Sequence, residues 1–420
     1  MSEPDVSDLL TVQQAIEIID AVAMTPRIKS VALAEATGLV LAQDLVADRD
    51  FPPFDKSQMD GYALRAADVR DGVSLQITGE VAAGAAAKAP VNAGEAVAIM
   101  TGAPMPPGAD SVVPVEDVTV AGDRVHLRTG ATPGRYIARR GSDCAAGVSV
   151  LAAGVRLGPA QIAVAAAVGA GSLQVIDRPR VAVLSTGDEI VPIDQTPGPT
   201  QIRNSNSPML AALLTRLGCA VTDLGQVRDE PTLIRDAIAR STGHDVLFVT
   251  GGMSMGRYDY VPAILRDLNY SLPITKLRIK PGKPFVFGFR DQGTGLSADA
   301  QSKPQILNPE PAPFVFGLPG NPVSAFVCTL RLASRLLRRM GGAAVGDRLL
   351  SAKLESPLPA NGPREFYQPA EWAGSRVRLM NWKGSADIFT LARADVLVVR
   401  PENQPALPAG AEVQFLEVPR

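Results

Sequence analysis

Three loops of the sequence place carboxylates, and in two of them glycines, directly after an apolar run. RVAVLS leads into TGDEI with Asp188 and Glu189, and CAVTDLGQV leads into RDE with Asp229. DVLFVT leads into GGMSMGRYDY with Gly251, Gly252, Ser254, Gly256 and Asp259. Glycine permits tight turns that aim successive backbone N–H groups into one cavity, which suits a phosphate or another oxyanion. A carboxylate in the same loop repels that anion unless it meets a cation or a hydroxyl. The combination therefore points to a phosphate-bearing ligand with a divalent metal. Each loop alone reads as ordinary turn chemistry; three on one sheet edge favour a site.

Other stretches add charge of both signs. KLRIKPGKPFVFG carries Lys276, Arg278, Lys280 and Lys283, and in a strand 276, 278 and 280 share one face. A solvated edge strand would explain such lysines, but flanking apolar strands imply a buried sheet in which stacked cations need an anion. LPGNPVS brackets Gly320 and Asn321 with Pro319 and Pro322 ahead of a helix, fixing either a rigid connection or a helix N-terminus suited to an anion. MTGAP supplies Thr101, RRGSD supplies two arginines and Asp143, and FDKSQMDGYAL supplies Asp55 and Asp60. In isolation each of these reads equally well as a solvated turn.

The elements that would position these residues follow from periodicity. Thr11 with Gln14 is a capping box for a helix with Val12, Ala15, Ile16, Ile19 and Ala23 at helical spacing, and a second helix is expected over VALAEAT up to Gly38. Residues 51–145 alternate short Val-rich runs with Gly/Pro turns, predicting a compact β-rich domain. From 178 to 340 strands alternate with helices, predicting a parallel sheet covered on both faces. The tail returns to short β-like runs, and the polar segment 290–312 separates two copies of PFVFG as a loop between adjacent strands.

The totals exclude several classes. With 41 basic and 43 acidic residues the formal charge is -2, so no broad basic field invites nucleic acid or an anionic membrane. Three scattered cysteines form neither a disulfide framework nor a zinc spacing, which predicts a reducing cytoplasmic setting. Two histidines leave little room for histidine chemistry. The N-terminus has no apolar signal region, and the run IAVAAAVGAG is too short for a membrane span. No P-loop, no G-x-G-x-x-G after a strand and no G-x-S-x-G elbow is present.

Taken together, PPFDKSQMDGYAL, IMTGAPMPPGAD, RRGSD, LSTGDEI, VTGGMSMGRYDY, KPGKPFVFG and GLPGNPVSA, in that order, resemble the molybdopterin molybdenumtransferases, the MoeA and gephyrin E-domain family. The resemblance covers essentially the whole chain. It implies a multi-domain α/β plus β fold, an elongated homodimer with four domains in each subunit. Domain I would be discontinuous (1–47 and 145–177), domain II inserted and β-rich (48–144), domain III a MogA-like doubly wound α/β unit (178–341), and domain IV β-barrel-like (342–420). The implied reaction takes adenylylated molybdopterin and molybdate, inserts molybdenum and releases AMP with the help of magnesium or zinc. Transient contact with a molybdopterin adenylyltransferase is implied as well.

By the same resemblance, Glu189, Asp229 and Asp259 would bind metal in the α/β pocket, with Lys276 and Lys280 on phosphate or molybdate oxygens. Asp60 and Thr101 would complete the catalytic set from the other subunit. Gly251, Gly252, Ser254, Pro319, Pro322, Asp143 and Ser385 would bind substrate. Three departures stand out: Ala386 replaces a family histidine, Pro363 and Gln368 replace two arginines with Arg364 one position away, and Asn204 replaces an acid. A non-catalytic scaffold on the same fold and an adenylyltransferase acting one step earlier are the alternative readings.

Overall fold

The computed structural model describes residues 9–70, 72–253, 260–290, 312–346 and 349–419. They form two compact units, one of residues 1–29, 38–40 and 176–420, the other of residues 30–37 and 41–175.

The first unit is built on a six-stranded sheet. Ala220–Val227, Arg180–Thr186, Val246–Thr250 and Phe314–Leu318 run parallel in that order; Val286–Arg290 and Tyr270–Ile274 then complete one edge through antiparallel pairing. The parallel sheet expected from sequence thus becomes a mixed one. The two PFVFG copies explain why: they pair antiparallel with Phe287 opposite Phe316, the register a chain reversal between them produces. Side chains alternate between two cores, as period-2 strands require. Val181, Val183, Phe248 and Phe316 belong to one, Ala182, Leu184, Leu247 and Val315 to the other. Helices Val12–Ala21, Asn206–Arg216 and Pro322–Cys328 supply the first core, while Pro231–Ala239 and Val261–Asp267 supply the second.

The first helix is capped as its sequence prescribes, with Thr11 Oγ1 accepting from the Gln14 amide and the Gln14 side chain accepting from the Thr11 amide. Its far end docks on Ser334–Met340. Arg335 grips Asp20 with two nitrogens, and Arg339 donates to the carbonyls of Ile19 and Val22, which have no partner within their own helix. A π-turn over Thr329–Ala333 interrupts the last long helix and turns Arg331 onto the Tyr367 hydroxyl at 2.7 Å.

The tail closes into a barrel. Glu365–Ala373, Arg376–Leu379, Leu350–Leu354, Glu412–Glu417 and Val396–Arg400 pair in sequence, and the last returns to the first. Ile279–Lys280 adds to Glu365–Phe366 from outside. Among the described residues no helix is long and apolar enough to cross a membrane.

The second unit carries a six-stranded sheet in the order Ser111–Pro114, Gly61–Leu64, Glu95–Ile99, Ser74–Val81, Arg124–Leu127 and Val118–Ala121. VALAEAT is not a helix: Val31 lies in the strand Ile28–Ala32, and only the single 3-10 turn Leu33–Glu35 follows. Three residues before a left-handed Gly38 (φ 79°) cannot repay helix nucleation.

Gly61 is fixed by the neighbouring strand, since a Cβ there would stand 2.1 Å from the Val113 carbonyl oxygen. Gly61→Ala should therefore destabilise this unit by about 1–3 kcal/mol, read as a lower denaturant midpoint. An unchanged midpoint would contradict this packing.

Candidate functional site

The four parallel strands end at Thr186, Val227, Thr250 and Leu318, and the loops that leave them meet at one sheet edge, where open α/β sheets bind ligands. They line a cavity of about 610 Å³ together with Glu189, Asp229, Gly251, Gly252, Pro319, Gly320, Asn321 and Pro322. That volume lies within the usual range of small-molecule sites. A second cavity of about 590 Å³ shares Pro284, Pro319 and Asn321 with it. The second is lined by Lys280, Lys283, Arg364 and Lys383, with Phe366, Gln368, Trp382 and Ser385 and no carboxylate.

The glycine loops do more than cradle. Gly251 has φ 93°, and a Cβ on it would lie 2.2 Å from the Thr186 carbonyl oxygen, so only glycine allows these two strand ends to touch. Its N–H bonds to Leu318 O at 3.3 Å, and the Gly187 N–H bonds to Val227 O at 3.2 Å. The amides expected to face the cavity thus sew adjacent strand ends together. Among the described residues, the Gly252 and Gly320 amides remain without a hydrogen bond. Asp188, beside Glu189, accepts from the Asp229 amide at 3.3 Å and so holds that loop. Ser254, Gly256 and Asp259 lie outside the described residues, as does nearly all of the segment 290–312.

Sequence reasoning missed the polar floor. Asn206 donates to Thr250 Oγ1 and to Gly320 O, both at 2.7 Å, which leaves its Oδ1 buried without a partner. Thr186 Oγ1 is buried and unpartnered as well. These are the orphaned polar groups that a ligand or cation would satisfy. Asn204 is equally buried. Its Oδ1 accepts from the Ser207 amide and its Nδ2 donates to Ser207 Oγ, both at 3.1 Å, a pattern no carboxylate can reproduce. The asparagine in place of the family acid is thus a helix-entry device. The RNSN pattern before a helix was the available signal.

The cation stripe expected at 276–280 is broken. Arg278 bonds to Leu9 O and Glu402, at 2.9 and 3.3 Å, tying the N-terminal segment and the barrel to this strand. Lys276 lines neither cavity, whereas Lys280 lines the second, 4.4 Å from the Phe366 ring centroid. Ser385 enters the second cavity and its carbonyl accepts the Val323 N–H, capping the first turn of the helix after Pro322. Ala386 and the exposed Phe389 border the first cavity.

In the second unit, the two aspartates of FDKSQMDGYAL separate cleanly. Asp55 is engaged by Arg139 at 2.6 Å and by the Arg140 amide at 2.8 Å, and the amide bond, followed by the arginine, lowers its pKa. Asp60 is exposed and accepts at Oδ1 from both the Thr101 amide (2.6 Å) and hydroxyl (2.8 Å). Those two bonds, the amide first, hold its carboxyl below the ordinary range. Asp143 is exposed, with Ser142 Oγ donating to it at 3.1 Å.

Three family models match the chain: the MoeA N-terminal region (domain I and II) over residues 10–169, a probable molybdopterin binding domain over 182–339, and the MoeA C-terminal region (domain IV) over 351–418. A molybdopterin molybdenumtransferase of Synechococcus elongatus is 36% identical over 97% of this chain and 99% of its own length. One of Nostoc sp. is 33% identical over 97% and 90%. Among solved structures, the molybdopterin biosynthesis MoeA protein of Pyrococcus horikoshii superposes with a TM-score of 0.82 at 29% identity, covering 98% of this chain and 99% of that one.

Because its folded pKa is lowered, Asp60 contributes stability above the ordinary carboxylate value, about 3.9, and loses it as pH falls through the folded value. Thr101→Val removes the hydroxyl donor and should move the Asp60 carboxyl titration, followed by carbon NMR, upward toward that ordinary value. A midpoint that stays put would show that the hydroxyl plays no part.

Proposed function

Because the chain belongs to the MoeA family of molybdopterin molybdenumtransferases, we propose that it inserts molybdenum into molybdopterin, taking adenylylated molybdopterin with molybdate and releasing AMP. The observation that carries this reading is the adjoining pair of cavities. A strand-end chamber with carboxylates and orphaned hydroxyl and amide oxygens shares a wall with a chamber lined by four cationic side chains. A phosphoanhydride and a metal oxyanion need these two environments side by side.

In this reading the phosphates lie at the strand ends, against the Gly252 and Gly320 amides, while Lys280 and Ser385 face the anionic oxygens of the second chamber. Charge that develops on oxygen as the anhydride breaks is met at the strand ends by the fixed Gly252 and Gly320 amides rather than by reorganising water. Pro319 and Pro322 hold the turn between the chambers, so the two halves of the substrate stay in register.

The donors of the first chamber suit a hard divalent cation. Glu189 and Asp229 line it, and no group of three histidine, cysteine or acidic residues gathers among the described residues. Magnesium fits a set of carboxylates better than zinc, since hard oxygen donors and substrate phosphates suit it, whereas zinc sites draw mainly on histidine and cysteine. Asp259 is the third carboxylate in this proposal. When bound, the cation would neutralise charge on the phosphate oxygens.

We take the protein to work as a homodimer with four domains per subunit, Asp60 of the partner subunit and Thr101 of the partner subunit completing the cleft. The exposed Asp60 supports this, because Thr101 holds its carboxylate in place while leaving it open to solvent. Contact with a molybdopterin adenylyltransferase would deliver the unstable adenylylated substrate.

Lys280→Ala, Asp229→Asn and Asp60→Ala should each lower molybdate-dependent AMP release about 100-fold. Subunits carrying Asp60→Ala, mixed with an equal amount carrying Asp229→Asn, should recover about one quarter of native activity, since half the dimers then hold one intact site of two. Full activity in the single variants would overturn the site; no recovery on mixing would overturn the shared cleft. Pyrophosphate formation from ATP and molybdopterin would favour an adenylyltransferase instead.

A further inference from the structure

Gln368 stands where the family pattern has an arginine, and a guanidinium lies directly behind it. Arg400, 4% exposed, donates to Gln368 Oε1 at 3.1 Å and to the Pro359 carbonyl, and its Cζ lies 5.5 Å from the Phe366 ring centroid. Its Nε is buried without a partner, and among the described residues no carboxylate comes within ion-pair distance. A buried guanidinium held only by neutral acceptors is expensive unless an anion shares its field. Burial lowers its pKa accordingly.

The register explains the arrangement. Arg400 pairs with Phe366 across the barrel strands, so Phe366, Gln368 and Arg400 lie on one face. Gln368 reaches the second cavity; Arg400 does not. A guanidinium has only donors, so the carboxamide must turn its oxygen toward Arg400. Its NH2 end is left pointing away, with no partner among the described residues. On that same face, Lys280 sits over Phe366 and Trp382 stacks on it at 5.5 Å, so one ring joins the buried cation to the cavity wall.

We propose that Arg400 is a positioning residue of the second cavity: it locks the Gln368 carboxamide with its N–H donors toward a bound tetrahedral oxyanion and lends that anion its unneutralised charge from behind. The pair thus replaces, in two layers, the arginine that the family pattern places at the wall. This rests on the reading of the second cavity as an anion site. The oxyanion is either molybdate or the phosphate of the pterin, which share tetrahedral shape and acceptor chemistry.

The test titrates the full-length protein calorimetrically with molybdate alone and with inorganic phosphate alone. Gln368→Glu keeps size and shape but pairs with Arg400 and removes the donors, and should weaken binding about tenfold or more. Arg400→Gln should do the same, and the double exchange Gln368→Arg with Arg400→Gln should restore it to within a few-fold, which a merely structural role would not allow. Thermal unfolding of each variant checks that it is folded. Weakening for molybdate alone, or for phosphate alone, supports the positioning role and says which oxyanion it serves. Native affinity for both anions in Gln368→Glu, while Lys280→Ala loses binding, overturns the proposal and leaves the anion site standing. Native affinity in Lys280→Ala as well removes the anion site itself, and the proposal with it.

Discussion

The constraint on which the rest depends is that three adjacent parallel strands are sealed on both faces. Arg180–Thr186, Val246–Thr250 and Phe314–Leu318 are buried at nearly every position, so neither face can accept a ligand. Only the edge where the strands stop is free to do chemistry. The strand ends are held within contact distance by a glycine under a neighbouring carbonyl, and two loop amides are spent on knitting them. Rigidity at that edge comes first, and the polar groups that remain are aimed by it.

Much of this was legible in the sequence because the signals were local. RVAVLS and DVLFVT read as buried strands, the Thr11 box reads as a helix start, and Glu189 and Asp229 follow strands that stop at one edge. Other features depend on contacts far along the chain. Nothing in KLRIKPG says that Arg278 will be taken by Leu9 and Glu402, which turns a three-cation face into one pocket lysine and a structural tie. Nothing in TGG says that its first amide will be used by Leu318. VALAEAT has helical composition, but its valine is claimed by a strand pairing that local propensity does not encode.

The departures from the family pattern read differently once placed. Asn204 keeps a helix entry with a donor that an acid lacks. Arg364 stands in the wall of the second cavity, one residue from where the pattern has its arginine. Gln368 is neutral at the wall but backed by a cation. Ala386 leaves the rim of the first cavity to Ile388 and Phe389, an apolar lip where the family carries a histidine. Three of the four changes therefore conserve hydrogen-bond or charge balance by moving it a few ångströms, and the fourth changes the polarity of the rim.

The clamp of Arg335 and Arg339 on the first helix has a consequence in time. Asp20 and Arg335 are 315 positions apart. During synthesis the helix emerges first, yet the surface that buries Val12, Ile16 and Ile19 is among the last to appear. At about 5–20 residues per second, that amphipathic helix waits many seconds with its apolar stripe uncovered. Release of the nascent chain near residue 330 would remove the Arg335 and Arg339 clamp, so intactness of the C-terminal segment decides how firmly the N-terminal helix is docked.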